Sequence, residues 1–388
     1  MSVVTRLNPT TMAEAAAALA ETTGRVRITG AGTAPDWAGA PAPAEHLLDT
    51  TGLTGVIAHH PADMTVEVRA GTPLRELNTL LAAHGQRVAL DAARVAHGAT
   101  VGGLIATADA GPLALANGSM RDLVIGAVLV LPDGTPARTG SHVIKNVAGY
   151  DLAKLVHGCH GTLALIAEVT LRLHPLPEAE ATVRLAGPLD DAAEATGRLL
   201  REPLEPVAVE WSDDALLVRL EGGAAALPAR VARVVEALGA GAEALDEDAA
   251  AAAWDGHAAQ VHPHPLALRG DTQQTVHPSG AVLRVGTRPS RLAPLLGELA
   301  GTRVTAGLAT GVGTLTLPAE PDVVAEAHRR VHAVGGTSML RSRPAGTELP
   351  AWGPPPSALG LLRAVHAELD PTGRLGAGRF TPWLEETA

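Results

Sequence analysis

Cysteine, lysine and aromatic residues are scarce in this sequence, and these scarcities exclude several functions. Among 388 residues there is one cysteine, Cys159, so the chain forms no internal disulfide and cannot by itself hold a cysteine-ligated iron–sulfur cluster. Seven residues are Phe, Tyr or Trp, which leaves few platforms for stacking bases. The formal net charge of −11 removes a general attraction to nucleic acid. No nucleic-acid partner is therefore expected.

Long apolar runs are also missing. No segment approaches the roughly 20 apolar residues that cross a bilayer, so we expect no direct membrane insertion. The opening residues, MSVVTRLNPTT, show no basic stretch followed by an apolar one, so we expect no signal peptide. With the single cysteine, these features favour a cytoplasmic protein, which partner proteins could hold at the inner face of the membrane.

The chain is too long for one hydrophobic core and is expected to form at least two domains. Helix and strand patterns are mixed along it, which predicts an α+β fold. A proline-rich stop, PLPE at 175–178, marks the predicted boundary between residues 1–177 and residues 178–388. The second, smaller α+β domain would serve the substrate or a subunit contact. Two similar units within it, about 181–240 and 280–337, indicate a ferredoxin-like arrangement.

Glycine is abundant in the first half. Four glycine-containing stretches lie at 29–39, 97–107, 117–122 and 157–170. Glycine tolerates positive φ, and successive free amides or a helix N-terminus bind anions without lysine. The adjacent Gly102 and Gly103 therefore indicate one of two things. Either their amides face a phosphate or a flat ring, or they allow close packing of a helix on a strand.

A dinucleotide-binding (Rossmann) fold is a weaker interpretation of the first glycine stretch. A strand, Gly30-x-Gly32 and an acidic Asp49 about 20 residues later fit its outline. Pro35 occupies the third glycine position, however, and no helix pattern follows. We therefore favour a phosphate-binding turn over an NAD site.

Several longer segments resemble a known family. They are PADMTVEVRAGTPLRELNTLLAAHGQRVALD, GATVGGLIATADAGP, NGSMRDLVIGAVLVLPDG and HVIKNVAGYDLAKLVHGCHGTLALIAEVTLRLHPLP, in that order. Together they resemble the FAD-binding (PCMH-type) domain of the vanillyl-alcohol oxidase / p-cresol methylhydroxylase superfamily. Within it the likeness is greatest to the family of FAD-binding subunits of glycolate oxidase, of which KNVAGYD is characteristic. The resemblance covers roughly residues 5–178, and LDPTGRLGAGRF is similar to the family's closing motif.

The resemblance implies an FAD-binding domain of two α/β subdomains, about 1–60 and 61–177, and it implies where FAD binds. The turn 29–33 matches a first pyrophosphate loop, and 99–107 matches a second loop that also reaches the flavin ring. The residues that the resemblance assigns to the cofactor are Thr29, Gly30, Ala31, Gly32, Thr33, Ala99, Thr100, Gly102, Gly103, Thr107, Ser119, Asp122, Gly161, Thr162 and Ile166. The last three would face the ribose and adenine.

Departures from the family pattern bear on how FAD would be held. Some relatives attach FAD covalently through His or Cys, but this chain has Thr33 in the first loop, and Cys159 lies in another motif. His97 matches no attachment position, so noncovalent FAD is predicted. The closing motif keeps Arg379 but lacks the family's Asn and Pro, which weakens the case for a flavin contact there.

Oxidation of a 2-hydroxy acid by flavin requires a base and a cation for the carboxylate. The candidate bases are His142, His157 and His160. The candidate carboxylate anchors are Arg121, Arg341, Arg343 and Arg379. The segment 145–155 is open to two interpretations: Asn146 and Tyr150 line the flavin or substrate, or Tyr150 and Leu152 begin a packed helix. The HPHP segment at 262–265 has no acidic partner or helical His spacing, so no metal site is predicted.

Three functions follow from these features. The first is an FAD-binding oxidoreductase subunit, similar to the FAD-binding subunit of glycolate oxidase, that oxidises a 2-hydroxy acid with a sister flavoprotein and an iron–sulfur protein. The second is a stand-alone FAD-dependent 2-hydroxy-acid oxidase or dehydrogenase. The third is a noncatalytic assembly subunit with a vestigial flavin site.

Overall fold

The computed structural model describes residues 4–141, 151–262, 280–299 and 301–384. Three residues singled out above lie outside the described residues, namely His142, Asn146 and Tyr150. So does the HPHP segment beyond His262.

The first sheet is parallel and three-stranded. Its elements are β1 (Thr5–Leu7), α1 (Met12–Glu21), β2 (Val26–Thr29) and β3 (His46–Asp49), and the strands lie in the order β1-β3-β2. A capping box begins α1, because the Thr11 side chain accepts from the Glu14 amide and Glu14 reaches back to the backbone of Thr11. The long loop after β2 contains no helix, as the sequence predicts.

The second sheet is antiparallel and five-stranded, in the order β4-β5-β9-β7-β8, and a short β6–β10 pair lies beside it. The elements are β4 (Val56–His60), β5 (Thr65–Arg69), α2 (Leu74–Ala82), β6 (Gln86–Arg87), α3 (Val101–Ala106), α4 (Ala114–Asn117), α5 (Met120–Leu123), β7 (Val124–Val130), β8 (Pro136–Gly140), β9 (Leu165–Arg172) and β10 (His174–Pro175). A turn at Asp133-Gly134 joins β7 to β8 as a hairpin, with Gly134 at φ +86°. A 3₁₀ turn, Ala93–His97, precedes α3.

The third sheet has eight antiparallel strands and confirms the ferredoxin-like prediction. Its elements are β11 (Ala179–Ala186), α6 (Leu189–Leu199), β12 (Ala208–Ser212), β13 (Ala215–Gly222), α7 (Leu227–Leu238), β14 (Ala242–Ala244), α8 (Glu247–Val261), β15 (Ala281–Gly286), α9 (Pro289–Glu298), β16 (Thr302–Gly307), β17 (Val312–Leu317), α10 (Pro321–Ala333) and β18 (Thr337–Ser342). Both halves have the order βαββαβ. The strand order β14-β11-β13-β12-β16-β17-β15-β18 joins the two units through β12 and β16.

The two faces of this sheet differ. Alternate residues such as Val218 and Leu283 pack with α6, α7, α9 and α10 in one apolar core. The residues between them point the other way, toward the N-terminal half. The ion pairs that cross there include Arg219 with Asp91 at 3.1 Å and Arg341 with Asp109 at 2.8 Å. The sheet thus places charged side chains against the N-terminal half of the chain.

The end of the chain returns to the first sheet. After α11 (Leu359–Leu369), Leu375 bridges Val26 of β2 and is 1% exposed in a core with Leu19 and Leu48. The Arg374 guanidinium donates to backbone carbonyls that follow α1 and β7. None of the helices in the described ranges combines the length and apolar character needed to cross a bilayer.

Candidate functional site

A solvent-open cleft lies where β2, α3 and the start of β9 meet. Most of the residues predicted to bind the cofactor line it: Thr29, Gly30, Ala31, Gly32, Thr33, Thr100, Gly102, Gly103, Thr107, Gly161 and Ile166. The fold therefore brings three separate glycine segments to one place.

The first loop presents unpaired backbone donors. Gly32 has φ +70°, and a Cβ placed there would meet no atom within 4 Å, so the space above it is open. Among the described residues, the amides of Ala31, Gly32 and Thr33 donate to no protein acceptor. Successive amides of this kind form an anion-binding nest.

The second loop works differently from the first. Thr100 caps α3 by accepting from the Gly103 amide at 3.2 Å, and the Gly102 amide donates to Ala70 at 2.7 Å. A Cβ on Gly102 would lie 2.9 Å from the Cβ of Ala70. Both amides are thus already bonded, and the close-packing interpretation holds for Gly102. These glycines offer a flat surface to the cleft, while Ala99 is fully buried beneath it.

Arg94, which sequence analysis did not single out, links the two loops. It lines the cleft, is 2% exposed, and lies in the 3₁₀ turn before α3. Its Nη1 donates to Thr33 Oγ1 and its Nη2 to Thr107 Oγ1, both at 2.7 Å, while its Nε donates to Asp109 Oδ2 at 2.9 Å. One guanidinium therefore fixes a threonine from each loop.

The third wall comes from the segment before β9 and from the end of the chain. His160 and Gly161 line the cleft, both with positive φ, and Thr162 is buried just beyond them. Arg379 lines it too, and its Nη1 donates to the carbonyls of Pro35 and Trp37 at 2.9 and 2.8 Å. The arginine of the closing motif therefore reaches the site although its neighbouring motif residues are lost.

Ser119 and Asp122 do not line this cleft. They form a capping box at the start of α5, where Asp122 Oδ2 accepts from the Ser119 amide at 2.8 Å. This hydrogen bond lowers the pKa of Asp122. The chemistry of a helix start accounts for both residues without a ligand.

Two of the candidate bases lie near candidate anchors, His160 near Arg379 and His157 near Arg121. Burial lowers the pKa of His160 to about 3 and that of His157 to about 4, helped by Arg379 and by Arg121 respectively. Both imidazoles are therefore neutral and weakly basic at pH 7.

The arginine candidates have different partners. Arg343 donates to the carbonyl oxygens of Asp36 and Ala38, whereas Arg341 pairs with Asp109. Within the described ranges, no group of three or more His, Cys, Asp or Glu side chains is placed to hold a metal ion.

The cleft fits the diphosphate and ring of a flavin nucleotide. The amides of the first loop and Arg94 supply donors for negative oxygens, and the glycine surface of α3 accepts a flat group. An anion beside Arg94 would also compensate a charge that is buried away from water.

Comparisons with known proteins agree with this fit. Residues 3–140 match a family model described as an FAD binding domain. The chain is 34% identical over 176 residues to "Glycolate oxidase subunit GlcE" of Escherichia coli, covering 45% of this chain and 50% of that one. It is 37% identical over 168 residues to "D-lactate dehydrogenase [cytochrome], mitochondrial" of Arabidopsis thaliana, covering 43% and 29%. The chain thus spans half, or less, of these relatives.

A solved structure extends the likeness in fold to the second half. Alkyldihydroxyacetonephosphate synthase superposes with a TM-score of 0.68 at 14% identity, covering 96% of this chain and 75% of that one. The third sheet therefore belongs to the shared fold, although the family model matches residues 3–140. Residues 3–140 of this chain are similar to an FAD binding domain, and FAD is the cofactor that this similarity supports.

Proposed function

We propose that the chain is an FAD-dependent oxidoreductase subunit that takes part in the oxidation of a 2-hydroxy acid. The observation that carries the proposal is the cleft itself, in which free amides of an FAD-binding domain meet an arginine that ties both glycine loops together. The names of the two relatives, a glycolate oxidase subunit and a D-lactate dehydrogenase, support a small 2-hydroxy acid as substrate.

The chain's own residues would bind and orient the cofactor. The amides of 31–33 hold the diphosphate, Thr107 and Thr33 are kept in place by Arg94, and the surface of Gly102 and Gly103 supports the ring. Bound FAD supplies the acceptor for the two electrons removed from the substrate. We infer that the cofactor is held without a covalent bond, which is supported by the position of Cys159 outside the residues that line the cleft.

We propose further that the electrons pass to partner subunits. The bacterial relative is named as a subunit, which supports an assembly with a sister flavoprotein. An iron–sulfur cluster would have to be carried by another chain, because this one has a single cysteine. The stand-alone enzyme and the assembly subunit without flavin are the competing functions.

The visible spectrum of the purified chain tests the first step. We expect the absorption bands of oxidised flavin, and we expect acid precipitation to leave all of the flavin in the supernatant. Flavin retained in the pellet would contradict noncovalent binding. A folded protein that takes up no FAD from excess would exclude the proposed function and favour the assembly subunit.

Anaerobic mixing with glycolate or D-lactate tests the second step. Bleaching of the flavin only when partner subunits are present supports the subunit function. Bleaching of the isolated chain favours the stand-alone enzyme. No bleaching in either case, with flavin bound, contradicts oxidation of this substrate class.

A further inference from the structure

A buried ion cluster connects the cofactor cleft to the eight-stranded sheet. Asp109 shares its two oxygens, since Oδ2 accepts from Arg94 Nε at 2.9 Å and Oδ1 accepts from Arg341 Nη2 at 2.8 Å. All three residues are less than 5% exposed. Arg94 touches the cleft, whereas Arg341 belongs to β18 in the other half of the chain. One carboxylate thus joins residues from both halves, and Asp109 and Arg341 are 232 positions apart.

Trp37 reinforces the same connection. Its ring lies 4.3 Å from the guanidinium carbon of Arg94 and 4.0 Å from that of Arg341, so both cations stack on one aromatic side chain. The next amide, of Ala38, donates to the carbonyl of Leu340 in β18 at 2.8 Å. The loop that carries the free amides is therefore fastened directly to the last strand of the sheet.

The cluster carries more positive than negative charge. Asp109 faces Arg94, Arg341 and Arg284, and the combined charge of these three holds its pKa below the usual carboxyl value although burial alone would raise it. Burial, with Arg284 and Arg94 nearby, lowers the pKa of Arg341 to about 9. The Nε atom of Arg341 is buried and has no hydrogen-bond partner among the residues that the structure describes. Uncompensated buried charge is costly, and an anion next to Arg94 offsets it.

We propose that Arg341 is a positioning residue of the cofactor cleft, which it orders through Asp109 and Arg94, so that FAD binding and docking of the eight-stranded sheet stabilise each other. The linkage is reciprocal, because a sheet that favours FAD must itself be favoured by FAD. The proposal requires that FAD binds in the cleft and does not require the oxidation reaction proposed above. Its test therefore measures FAD affinity and backbone protection instead of turnover.

The first experiment is an FAD titration of the flavin-free full-length chain, followed by quenching of flavin fluorescence. Arg341→Met should raise the dissociation constant at least about tenfold, since it removes one of the two arginines that bond Asp109 and one of the two that stack on Trp37. Arg341→Lys keeps the charge and should recover part of that loss. The effect should be of similar size for Asp109→Asn, which interrupts the same connection.

A matched control exists in the same sheet. Arg219 on β13 also pairs with an aspartate of the N-terminal half, Asp91, at 3.1 Å, and stacks on Trp254 at 4.0 Å. Neither residue of that pair lines the cleft. Arg219→Met should therefore leave FAD affinity within about twofold of the wild type. An equal loss in Arg219→Met and Arg341→Met would overturn the proposal, because docking in general would then explain both.

Hydrogen–deuterium exchange supplies a second measurement. If Arg341 only stabilised the fold, FAD would not change the exchange rates in β18 specifically. In the wild type, saturating FAD should slow exchange in β18 but not in β13. In Asp109→Asn, saturating FAD should still protect the loop at 29–33 but no longer β18. Protection of β18 that persists in Asp109→Asn would overturn the connection, and this variant also serves if Arg341→Met does not fold.

Discussion

Replacing Gly32 by alanine tests the amide nest most directly. The residue is exposed, has φ +70°, and a Cβ there would contact no protein atom within 4 Å. In the absence of FAD, Gly32→Ala should therefore lower the free energy of unfolding by about 1–2 kcal/mol, which is the cost of placing alanine in the left-handed conformation. A bound diphosphate would meet the new methyl group, and losing one charge-assisted hydrogen bond costs about 1.5–3 kcal/mol. The dissociation constant for FAD should rise by about 10- to 150-fold.

Gly85 provides the matched control for backbone strain. It has φ +66°, is exposed, also has open space around a built Cβ, and lies beyond α2, outside the cleft. Gly85→Ala should lower the melting temperature of the flavin-free protein about as much as Gly32→Ala does, without changing FAD affinity. The measurements are thermal unfolding without FAD and a titration with FAD. Wild-type affinity in Gly32→Ala would refute the assignment of these amides to the diphosphate.

Three further predictions concern other parts of the molecule. Burial and then Asp91 raise the pKa of Glu210 to about 8. Folding therefore favours the protonated form of Glu210, and the stability that this form contributes below the unfolded pKa is lost as pH rises toward 8. The free energy of unfolding of Glu210→Gln, relative to that of the wild type, should therefore increase by up to about 1.4 kcal/mol per pH unit between pH 5.5 and 7.5. Urea unfolding at several pH values measures this difference. Burial raises the pKa of the Cys159 thiol, so Ellman's reagent should react with it only after denaturation, and rapid reaction of native protein would contradict its buried position. Leu375→Ala should destabilise the protein by about 3 kcal/mol, whereas Leu361→Ala, at a 66% exposed residue, should change stability by less than about 0.5 kcal/mol in chemical denaturation.

The parts that sequence predicted well are those set by local patterns. The two βαββαβ units follow from alternating strand and helix signals within about 60 residues, and the resulting third sheet has the predicted topology. The turn after β2 likewise follows from its glycines, because Gly32 adopts a conformation that other residues avoid. Local chemistry also explains Ser119 and Asp122, whose spacing is that of a capping box.

The parts that sequence analysis missed depend on contacts between distant residues. Arg94 occurs in an unremarkable AARVAHG segment, and nothing local indicates that Asp109 and Arg341 will bury it. Sequence could not decide whether the Gly102 amide faces a ligand or the protein for a similar reason. This amide donates to the carbonyl of Ala70, and that contact forms only when α3 packs beside the end of β5. Arg379 lost its motif neighbours but kept its place, because the carbonyls of the 35–39 loop hold its guanidinium.

The return of the C-terminal segment separates the parts of the cleft widely along the chain. Leu375 completes the core under β2, and Arg379 forms one wall of the cleft, although the first loop is made more than 340 residues earlier. During synthesis on the ribosome, the first loop is therefore exposed long before Arg379 can complete that wall. FAD bound in this cleft would meet its full surroundings only after Arg379 has been made.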